Sequence, residues 1–199
     1  MDKLSFLDRY LQPFTKEHRR LKERAYELGV LVIEDEVAEF LSVYLQDKTV
    51  ICMVEVGTGL GYSAKLFRKL FREAEIHSVD RSPERYQMAQ RILKEDDIHL
   101  HFGDAVEFLT HFDKPIDFLF LDGAKSQYKA MLESCEDQLS DQAIIITDNI
   151  FLRGKAYEEV EKRHRTVKRR MQEYLEKMFR DYDSHLLDLG DGLLVSRKK

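Results

Sequence analysis

Three oxygen-bearing side chains directly follow two apolar segments of this sequence. Asp122 comes after residues 116–121, and Asp148 and Asn149 come after residues 143–147. Hard cations such as Mg²⁺ take carboxylate and carbonyl oxygens as ligands, and they usually keep positions for water or for substrate oxygens. These residue types therefore predict a site for Mg²⁺ or another divalent cation that could also bind an anionic oxygen of a substrate.

Lys125 stands three residues after Asp122, close to the predicted ion. A lysine at such a place can receive a proton from an acceptor group or stabilise the oxyanion that forms. The alternative is an ordinary surface cation. We predict that Lys125 is a catalytic residue, and both roles, base and electrostatic partner, stay open at this point.

A glycine-rich segment from Gly57 to Gly61 follows the acid Glu55 and precedes a helical pattern. Glycines let the backbone approach a ligand, and the N-terminus of the next helix attracts an anion such as a phosphate or a carboxylate. Asp80 comes about twenty residues later, where an acid that binds a ribose belongs. A nicotinamide enzyme stays possible here, although its usual fingerprint is G-x-G-x-x-G and this loop has the pattern G-x-G-x-G.

Five acids follow five consecutive predicted strands, and they are Glu55, Asp80, Asp104, Asp122 and Asp148. Any one of them could be a helix cap. Capping explains the whole set poorly, because two of the acids directly terminate buried strands. In an open α/β sheet, ligands bind beyond the C-terminal ends of the strands. The set therefore predicts a binding site along one edge of the sheet.

The elements that would position these side chains alternate between strands and helices. Such βαβ units form a parallel sheet with helices on both faces. Two closing strands, joined through Gly190-Asp191-Gly192, predict a tight hairpin and an antiparallel strand beside the parallel ones. The predicted fold class is a doubly wound α/β domain with a mostly parallel, seven-stranded sheet and N-terminal helices. The predicted strands are residues 49–55, 75–80, 98–102, 116–121, 143–147, 186–189 and 193–197, and a last long helix spans residues 157–179.

Length and composition fit one domain with its own core, because 43% of the 199 residues are hydrophobic. We predict a single domain over residues 1–199, with a helical segment at residues 1–46 and an α/β core at residues 47–199. No segment has the pattern of a signal peptide or a membrane span. The expectation is a soluble, cytoplasmic protein that has no membrane partner.

Neither the two cysteines nor the seven histidines show a spacing typical of a metal site. Cys52 lies in an apolar run and is interpreted as a small buried hydrophobe. His99 and His101 lie in the third strand and are interpreted as structural. Tyr128 either lines a substrate pocket or packs in the core.

The charge of the chain is unevenly distributed. A net charge of −5 argues against a nucleic-acid-binding protein taken as a whole, yet residues 153–170 carry eight Lys or Arg and three Glu, a local charge of +5. Lys162, Arg165 and Arg169 are predicted to share one face of the long helix. This basic segment could contact phosphates, or it could be a solvated helix surface.

Several of these segments resemble a known family, the catechol- and caffeoyl-CoA-type O-methyltransferases that use S-adenosylmethionine. The resemblance covers the chain from about Val30 onward. It is carried by Glu55–Ser63, Asp117–Tyr128 and Thr147–Asn149. The segments Asp148–Gly154 and Arg163–Val167 are most similar to the bacterial branch that methylates 5-hydroxyuridine in tRNA.

The resemblance implies a Rossmann-like methyltransferase fold and metal-assisted transfer of a methyl group from S-adenosylmethionine to a hydroxyl oxygen. It implies Asp122, Asp148 and Asn149 as ligands of Mg²⁺ or another divalent cation. The acceptor it implies is 5-hydroxyuridine of tRNA, with a small catechol-like molecule as the alternative and a nucleotide-cofactor oxidoreductase as a more distant one. A homodimer is also expected. The implied cofactor contacts are Val30, Glu55, Gly57, Ser63, Asp80, Asp104, Ala105 and Asp122.

Overall fold

The computed structural model describes Tyr10 and residues 13–199, and it describes the side chains from residue 18 onward. The helical pattern expected before Pro13 therefore falls largely outside the described residues. The strands are β1 (Cys52–Val56), β2 (Glu75–Asp80), β3 (His99–Phe102), β4 (Ile116–Leu121), β5 (Leu139–Thr147), β6 (Tyr182–Leu187) and β7 (Leu193–Lys198). The α-helices are α1 (Pro13–Glu27), α2 (Asp35–Leu45), α3 (Tyr62–Leu70), α4 (Pro83–Ile92), α5 (Ala105–Thr110), α6 (Tyr128–Cys135) and α7 (Arg165–Asp181).

The seven strands form one sheet in the order β3-β2-β1-β4-β5-β7-β6. Strands β1 to β5 pair in parallel, and β7 pairs antiparallel with both β5 and β6. The predicted fold class is confirmed, including the antiparallel strand beside the parallel ones. The order reverses between β1 and β4, and this is the switch point where an open α/β sheet binds its ligands.

The sheet is covered on both faces because its central strands carry apolar side chains on both sides. In β1, Met53 packs into one core cluster and Val54 into the other, and in β4 the same alternation separates Phe118 from Leu119. Helices α5, α6 and α7 cover the face of Val54 and Leu119, and α2 and α3 cover the face of Met53 and Phe118. Each large side chain buried in this way contributes roughly 1.5–3 kcal/mol to folding.

Two helices that lead away from the functional edge begin at capping residues. The side chain of Ser82 accepts a hydrogen bond from the Arg85 amide, and Pro83 is the first residue of α4. Asp104 accepts hydrogen bonds from the Val106 and Glu107 amides at the start of α5. Asp104 therefore has the capping role that was the alternative to a binding role.

The last third of the chain differs from the prediction. The helix expected from residue 157 begins only at Arg165, after a 3₁₀ turn over Lys162–His164. Its apolar period extends back to Val160, but the chain there still crosses from the end of β5 to the helix layer through turns. Lys168 Nζ, not a helical amide, donates to the carbonyl of Glu158. Lys162 therefore lies outside the helix face on which it was predicted.

The closing hairpin also differs in detail. Strand β6 begins at Tyr182, four residues before the predicted start, and ends at Leu187. The connection to β7 is a five-residue loop over 188–192 instead of a tight turn. Gly190 and Gly192 both have positive φ, which explains why glycines occur in it. Over the residues that the structure describes, no helix combines the length and apolar character that a membrane span requires.

Candidate functional site

A cleft of about 340 Å³ lies at the C-terminal edge of the sheet, over the switch point. The glycine-rich loop after β1 forms one wall, and the ends of β2, β3 and β4 form the others. The lining includes six of the predicted cofactor contacts, namely Val30, Gly57, Asp80, Asp104, Ala105 and Asp122. Because these residues come from five separate segments, the sheet is what brings them together.

Gly57 lies where two strand ends approach most closely. Its amide donates to the carbonyl of Val79 at 2.9 Å, and its φ is +100°. A Cβ atom placed on it would lie 2.4 Å from the carbonyl oxygen of Asp122. Only glycine fits this position, because any side chain would push apart the loop and the end of β4.

Asp80 holds the loop and the start of the next helix in place at the same time. Its Oδ2 accepts from the Gly59 amide at 2.9 Å, and its Oδ1 accepts from the Ser82 amide at 2.9 Å. The Arg85 guanidinium bonds to the same Oδ1 at 3.2 Å. The carboxylate is 6% exposed and faces the cleft, so it retains the position from which it could accept hydrogen bonds from ribose hydroxyls.

Replacing Asp80 by Ala is expected to weaken S-adenosylmethionine binding. A lost hydrogen bond to a charged group costs about 1.5–3 kcal/mol, which corresponds to an increase of about 10- to 150-fold in Kd. Titration calorimetry measures the effect. Asp117→Ala is the matched control, since Asp117 also bonds two backbone amides, those of Ile51 and Cys52, but at the opposite edge of the sheet. An unchanged Kd in a folded Asp80 variant would remove Asp80 from the site.

Glu55 and Ser63, both implied as cofactor contacts, lie beneath the loop and do not line the cleft. Ser63 Oγ donates to Glu55 Oε1 at 2.5 Å, and Ser78 Oγ donates to Glu55 Oε2. Burial raises the pKa of Glu55 to about 7, and these two hydrogen bonds only partly oppose it. Glu55 is therefore a buried acid poised to ionise near neutral pH.

We expect the stability of the ligand-free protein to fall as pH rises from about 4.5 to about 7, through Glu55. The folded state binds the Glu55 proton more tightly than the unfolded state, so unfolding becomes easier as that proton is lost. A shift from 4.5 to about 7 corresponds to roughly 3 kcal/mol, as an order of magnitude. Denaturant unfolding at several pH values should show a shallower fall for Glu55→Gln than for the wild type. Identical slopes would contradict the assignment.

The predicted metal ligands come together where β4 and β5 end. The Asp148 amide donates to the carbonyl of Leu121 at 3.0 Å, so the parallel ladder continues far enough to set Asp148 beside Asp122. Asn149 follows in the left-handed region with φ of +59°, and its amide donates to Asp148 Oδ1 at 2.7 Å. Asparagine is among the few residues that adopt this conformation readily.

The electrostatics of this pair favour a cation. Burial, together with the neighbouring charge of Asp122, raises the pKa of Asp148 to about 7. Burial likewise raises the pKa of Asp122, while Lys125 opposes that shift. Lys125 Nζ donates to Asp122 Oδ1 at 2.5 Å. The buried carboxylate of Asp148 and the half-buried one of Asp122, with a neighbouring amide side chain, form a donor set that fits Mg²⁺ or a similar hard ion.

A second cleft of about 390 Å³ adjoins the first. The two share a wall made of Leu31, Asp122, Lys125 and Asn149. Asp148 faces only the second cleft, which is also lined by Arg153, Lys155 and His164. The proposed ion site thus lies between a cleft suited to a cofactor and a cleft suited to an acceptor.

The loop after β5 is held by the hairpin at the end of the sheet. Both carboxylate oxygens of Asp191 accept from the Arg153 amide, at 2.8 and 3.0 Å. Leu152, Arg153 and Gly154 all have positive φ, which is a strained run for the two that are not glycine. Their conformation fixes the Arg153 side chain at the wall of the second cleft.

Two residues of the site were not predicted from the sequence, and for a third, Tyr128, two roles were left as alternatives. Arg85 was not singled out, although its place three residues after the Ser82 cap puts it next to Asp80. Asp191 was treated only as part of a turn, and no local signal indicated its bond to Arg153. Tyr128 packs in the core, because it is 1% exposed and its hydroxyl donates to the Asp148 carbonyl at 2.9 Å.

Comparisons with known proteins agree with this geometry. A family model described as O-methyltransferase matches residues 7–199. A protein of Mycobacterium sp. (strain JLS), provisionally named an O-methyltransferase, is 27% identical over 184 residues, which is 89% of this chain and 84% of that protein.

Solved structures show the same fold at lower identity. A provisionally assigned caffeoyl-CoA O-methyltransferase from Staphylococcus aureus is 23% identical with a TM-score of 0.86, over 98% of this chain and 97% of that one. An O-methyltransferase from Bacillus cereus, solved with S-adenosylhomocysteine, is 18% identical with a TM-score of 0.80, over 95% and 92%. Since the family model spans nearly all of the sequence, the chain belongs to the O-methyltransferase family and is an S-adenosylmethionine-dependent enzyme.

Proposed function

We propose that this O-methyltransferase works with a divalent cation held by Asp122, Asp148 and Asn149, and that its acceptor is 5-hydroxyuridine of tRNA, which becomes 5-methoxyuridine. One observation carries the proposal: basic residues line the same cleft as the ion ligands. The family assignment removes the support for a nicotinamide oxidoreductase that the glycine loop left open.

The chain's own residues would align the two reactants. S-adenosylmethionine supplies, when bound, a methyl group on a positively charged sulfur that an oxygen nucleophile attacks in line. The first cleft holds that cofactor through Asp80 and the loop at Gly57, and the shared wall sets the distance to the acceptor. Orientation of this kind can lower a barrier by about 7–11 kcal/mol in favourable cases.

The acceptor hydroxyl must lose its proton for the transfer. A divalent cation supplies, when bound, positive charge that favours the deprotonated form of a neighbouring hydroxyl. Lys125 Nζ lies on the same wall and can hold the oxyanion or receive the proton. An acceptor with two adjacent oxygens suits this arrangement, and both catechols and 5-hydroxyuridine, with its 5-hydroxyl and 4-carbonyl, have them.

The basic residues around the second cleft favour a nucleotide acceptor. Arg153 and Lys155 line the cleft, and Lys162 and Arg165 are exposed beside it at the start of α7. Phosphate groups bind to such clusters of Lys and Arg. A free catechol would need none of them.

A small catechol-like acceptor is the second candidate, because the size of the second cleft suits a small molecule. A volume of about 390 Å³ lies within the range of small-molecule sites. Its aliphatic lining consists of Leu31, Val32, Leu152 and Val167. These residues could pack against an aromatic ring of either acceptor.

A direct assay tests the proposal. The purified protein is incubated with S-adenosylmethionine and tRNA that contains 5-hydroxyuridine, and the nucleosides are analysed by mass spectrometry. The same tRNA with unmodified uridine is the matched control. We expect 5-methoxyuridine only from the first tRNA, its loss in EDTA, and its return with Mg²⁺. Turnover that persists in EDTA would refute the requirement for a divalent cation. Methylation of a catechol without methylation of the tRNA would refute tRNA as the acceptor.

Reversing Lys162, Arg165 and Arg169 to Glu is expected to raise KM for tRNA and to leave KM for a small catechol unchanged. The salt dependence of tRNA binding should become shallower by about one logarithmic unit for each phosphate contact removed. Of the three, Arg169 is expected to contribute least to tRNA binding, because it already pairs with Glu173 at 2.5 Å. Equal effects on both acceptors would count against an RNA contact.

The control reverses three exposed cations far from the clefts, namely Arg72, Arg91 and Lys94. Arg72 precedes β2, Arg91 lies in the last turn of α4, and Lys94 follows that helix, so all three lie toward the opposite edge of the sheet. They change the net charge by the same amount. A rise in KM from this variant as well would mean that overall charge, and not the basic segment, governs tRNA binding.

A further inference from the structure

Two neighbouring strands bring a thiol, a carboxylate and an imidazole together at the edge of the sheet opposite the clefts. Cys52 is the first residue of β1, Glu75 is the first of β2, and His77 follows two residues later. One potential ligand atom from each lies within 4.8 Å of the others. Cys52 and His77 are buried, and Glu75 is half-buried.

The strand register explains why these side chains meet. Cys52 is paired with Glu75, and His77 is paired with His99 of β3. Paired residues in a parallel sheet point to the same face, and residues two apart along a strand do so as well. All four side chains therefore share one face, and the Glu75 carboxylate lies near both rings. Its Oε1 is 3.0 Å from His77 Nε2 and 3.8 Å from His99 Nε2.

We propose that Cys52, Glu75 and His77 form a second metal site, which binds Zn²⁺ or a similar borderline-soft divalent cation, with His99 or water as the fourth ligand. Thiolate sulfur, imidazole nitrogen and carboxylate oxygen are the usual zinc donors, and four-coordinate sites are the norm. The ion site between the clefts has only oxygen donors, so the two sites would select different ions.

The environment of His77 supports its role as a ligand. Its Nε2 faces Glu75, while its Nδ1 is 2.9 Å from His101 Nε2. Histidines that bind metals almost always use the second ring nitrogen for a hydrogen bond that fixes the ring. His101 provides that bond here, and its own ring packs against Phe108.

Lys114 is the competitor for this site. Its ammonium group bonds to Glu75 Oε1, where it supplies the positive charge that an ion would otherwise bring. The Lys114 side chain is 46% exposed, so the ammonium group can move into solvent when a cation binds. Removing it should therefore strengthen metal binding, an outcome that ordinary surface binding would not give.

Such an ion would tie together the starts of the strands whose other ends form the cofactor cleft. Strands β1, β2 and β3 end at Gly57, Asp80 and Asp104, respectively, or next to them. A ligand that binds only the folded state raises stability by mass action. The site is therefore structural, and its loss need not touch the chemistry at Lys125.

Cobalt(II) is the probe, because a cobalt–thiolate bond gives a near-ultraviolet charge-transfer band that oxygen ligands do not give. We expect one equivalent of Co²⁺ to produce this band in the wild type, and Zn²⁺ to remove it by competition. Cys52→Ser should abolish the band, and Cys135→Ser should keep it. Cys135 is the matched control, since it is equally buried but lies in α6, where its thiol donates to backbone carbonyls. No band, or a band that survives in Cys52→Ser, would overturn the proposal.

Two further variants keep the test valid if Cys52→Ser folds poorly. His77→Gln should weaken Co²⁺ binding at least as much as the loss of an orienting partner does, about 10- to 100-fold. Lys114→Gln should strengthen it. Zn²⁺ should also raise the Tm of the wild type and of Lys114→Gln, but not that of His77→Gln. Unchanged affinity in both variants would overturn the proposal, whatever the outcome of the methyl-transfer assays.

Discussion

Replacing Lys125 by Ala is expected to lower kcat by about 10²- to 10⁴-fold, the usual range for loss of a positioned acid or base. The lysine is the cationic side chain on the wall shared by both clefts, and its Nζ bonds to Asp122 at 2.5 Å. The Kd for S-adenosylmethionine should change little, because the predicted cofactor contacts at Asp80 and Gly57 remain. Single-turnover kinetics together with calorimetry separate the two quantities.

Lys125→Arg distinguishes the two roles of the lysine. Arginine keeps the positive charge but does not give up a proton at ordinary pH. Recovery of turnover by Arg would assign an electrostatic role, whereas failure of Arg in a folded, cofactor-binding protein would assign a base. A Lys125→Ala variant that turns over at the wild-type rate would show that the lysine only balances the charge of Asp122.

Replacing Gly57 by Ala is expected to be the most damaging single change in the cofactor loop. The added Cβ would lie 2.4 Å from the carbonyl oxygen of Asp122 and 2.8 Å from its carbonyl carbon, and both are backbone atoms. The positive φ costs about 1–3 kcal/mol for a residue other than glycine. Displacing the packed neighbour costs about 1–3 kcal/mol more. Cofactor binding should fail as well, because the same displacement moves Asp122.

Gly29→Ala is the matched control for this prediction. Gly29 also has a positive φ, of +66°, but a Cβ there has nothing within 4 Å. It therefore reports the backbone cost alone. Each kcal/mol corresponds to about 2–4 °C of Tm in a protein of this size. Equal Tm values for the two variants would mean that the loop at Gly57 can move away from Asp122 at no cost in stability. That result would contradict the prediction.

The sheet was predictable because the same pattern, a strand followed by an acid and then by a helix, recurs along the chain. Strands β2 and β4 have the predicted bounds, since β2 ends at an acid and β4 is a largely apolar run that an acid follows. The helix after β5 was placed too early, because Val160 continues the apolar period by chance. The apolar period predicts which face of a helix a residue would occupy. It does not show at which residue the helix begins after the chain leaves the sheet.

The sequence predicted which residues belong to the site more successfully than it predicted which atoms they contact. The rule that strand ends meet at one edge brought Asp80, Asp122 and Asp148 together from their positions alone. It could not show that Glu55 would lie beneath the loop and bond to Ser63 and Ser78. That arrangement depends on which side each residue of β1 faces and on what packs there.

The cluster at the opposite edge was not predictable from spacing. Cys52, Glu75 and His77 show no metal motif along the chain, and their proximity follows from the pairing of β1 with β2. The same limit applies to Asp191, which bonds to Arg153 across 38 positions of sequence. Contacts set by register or by a distant loop leave no local pattern.

The wall shared by the two clefts has a consequence for inhibitor chemistry. Leu31, Asp122, Lys125 and Asn149 each face both spaces. A molecule that joins a cofactor-like half to an acceptor-like half would need only a very short linker to cross it. Binding of the second half would then be intramolecular, and short linkers give effective concentrations on the order of millimolar. Even two weakly bound fragments, once joined across this wall, could give a tight bisubstrate inhibitor.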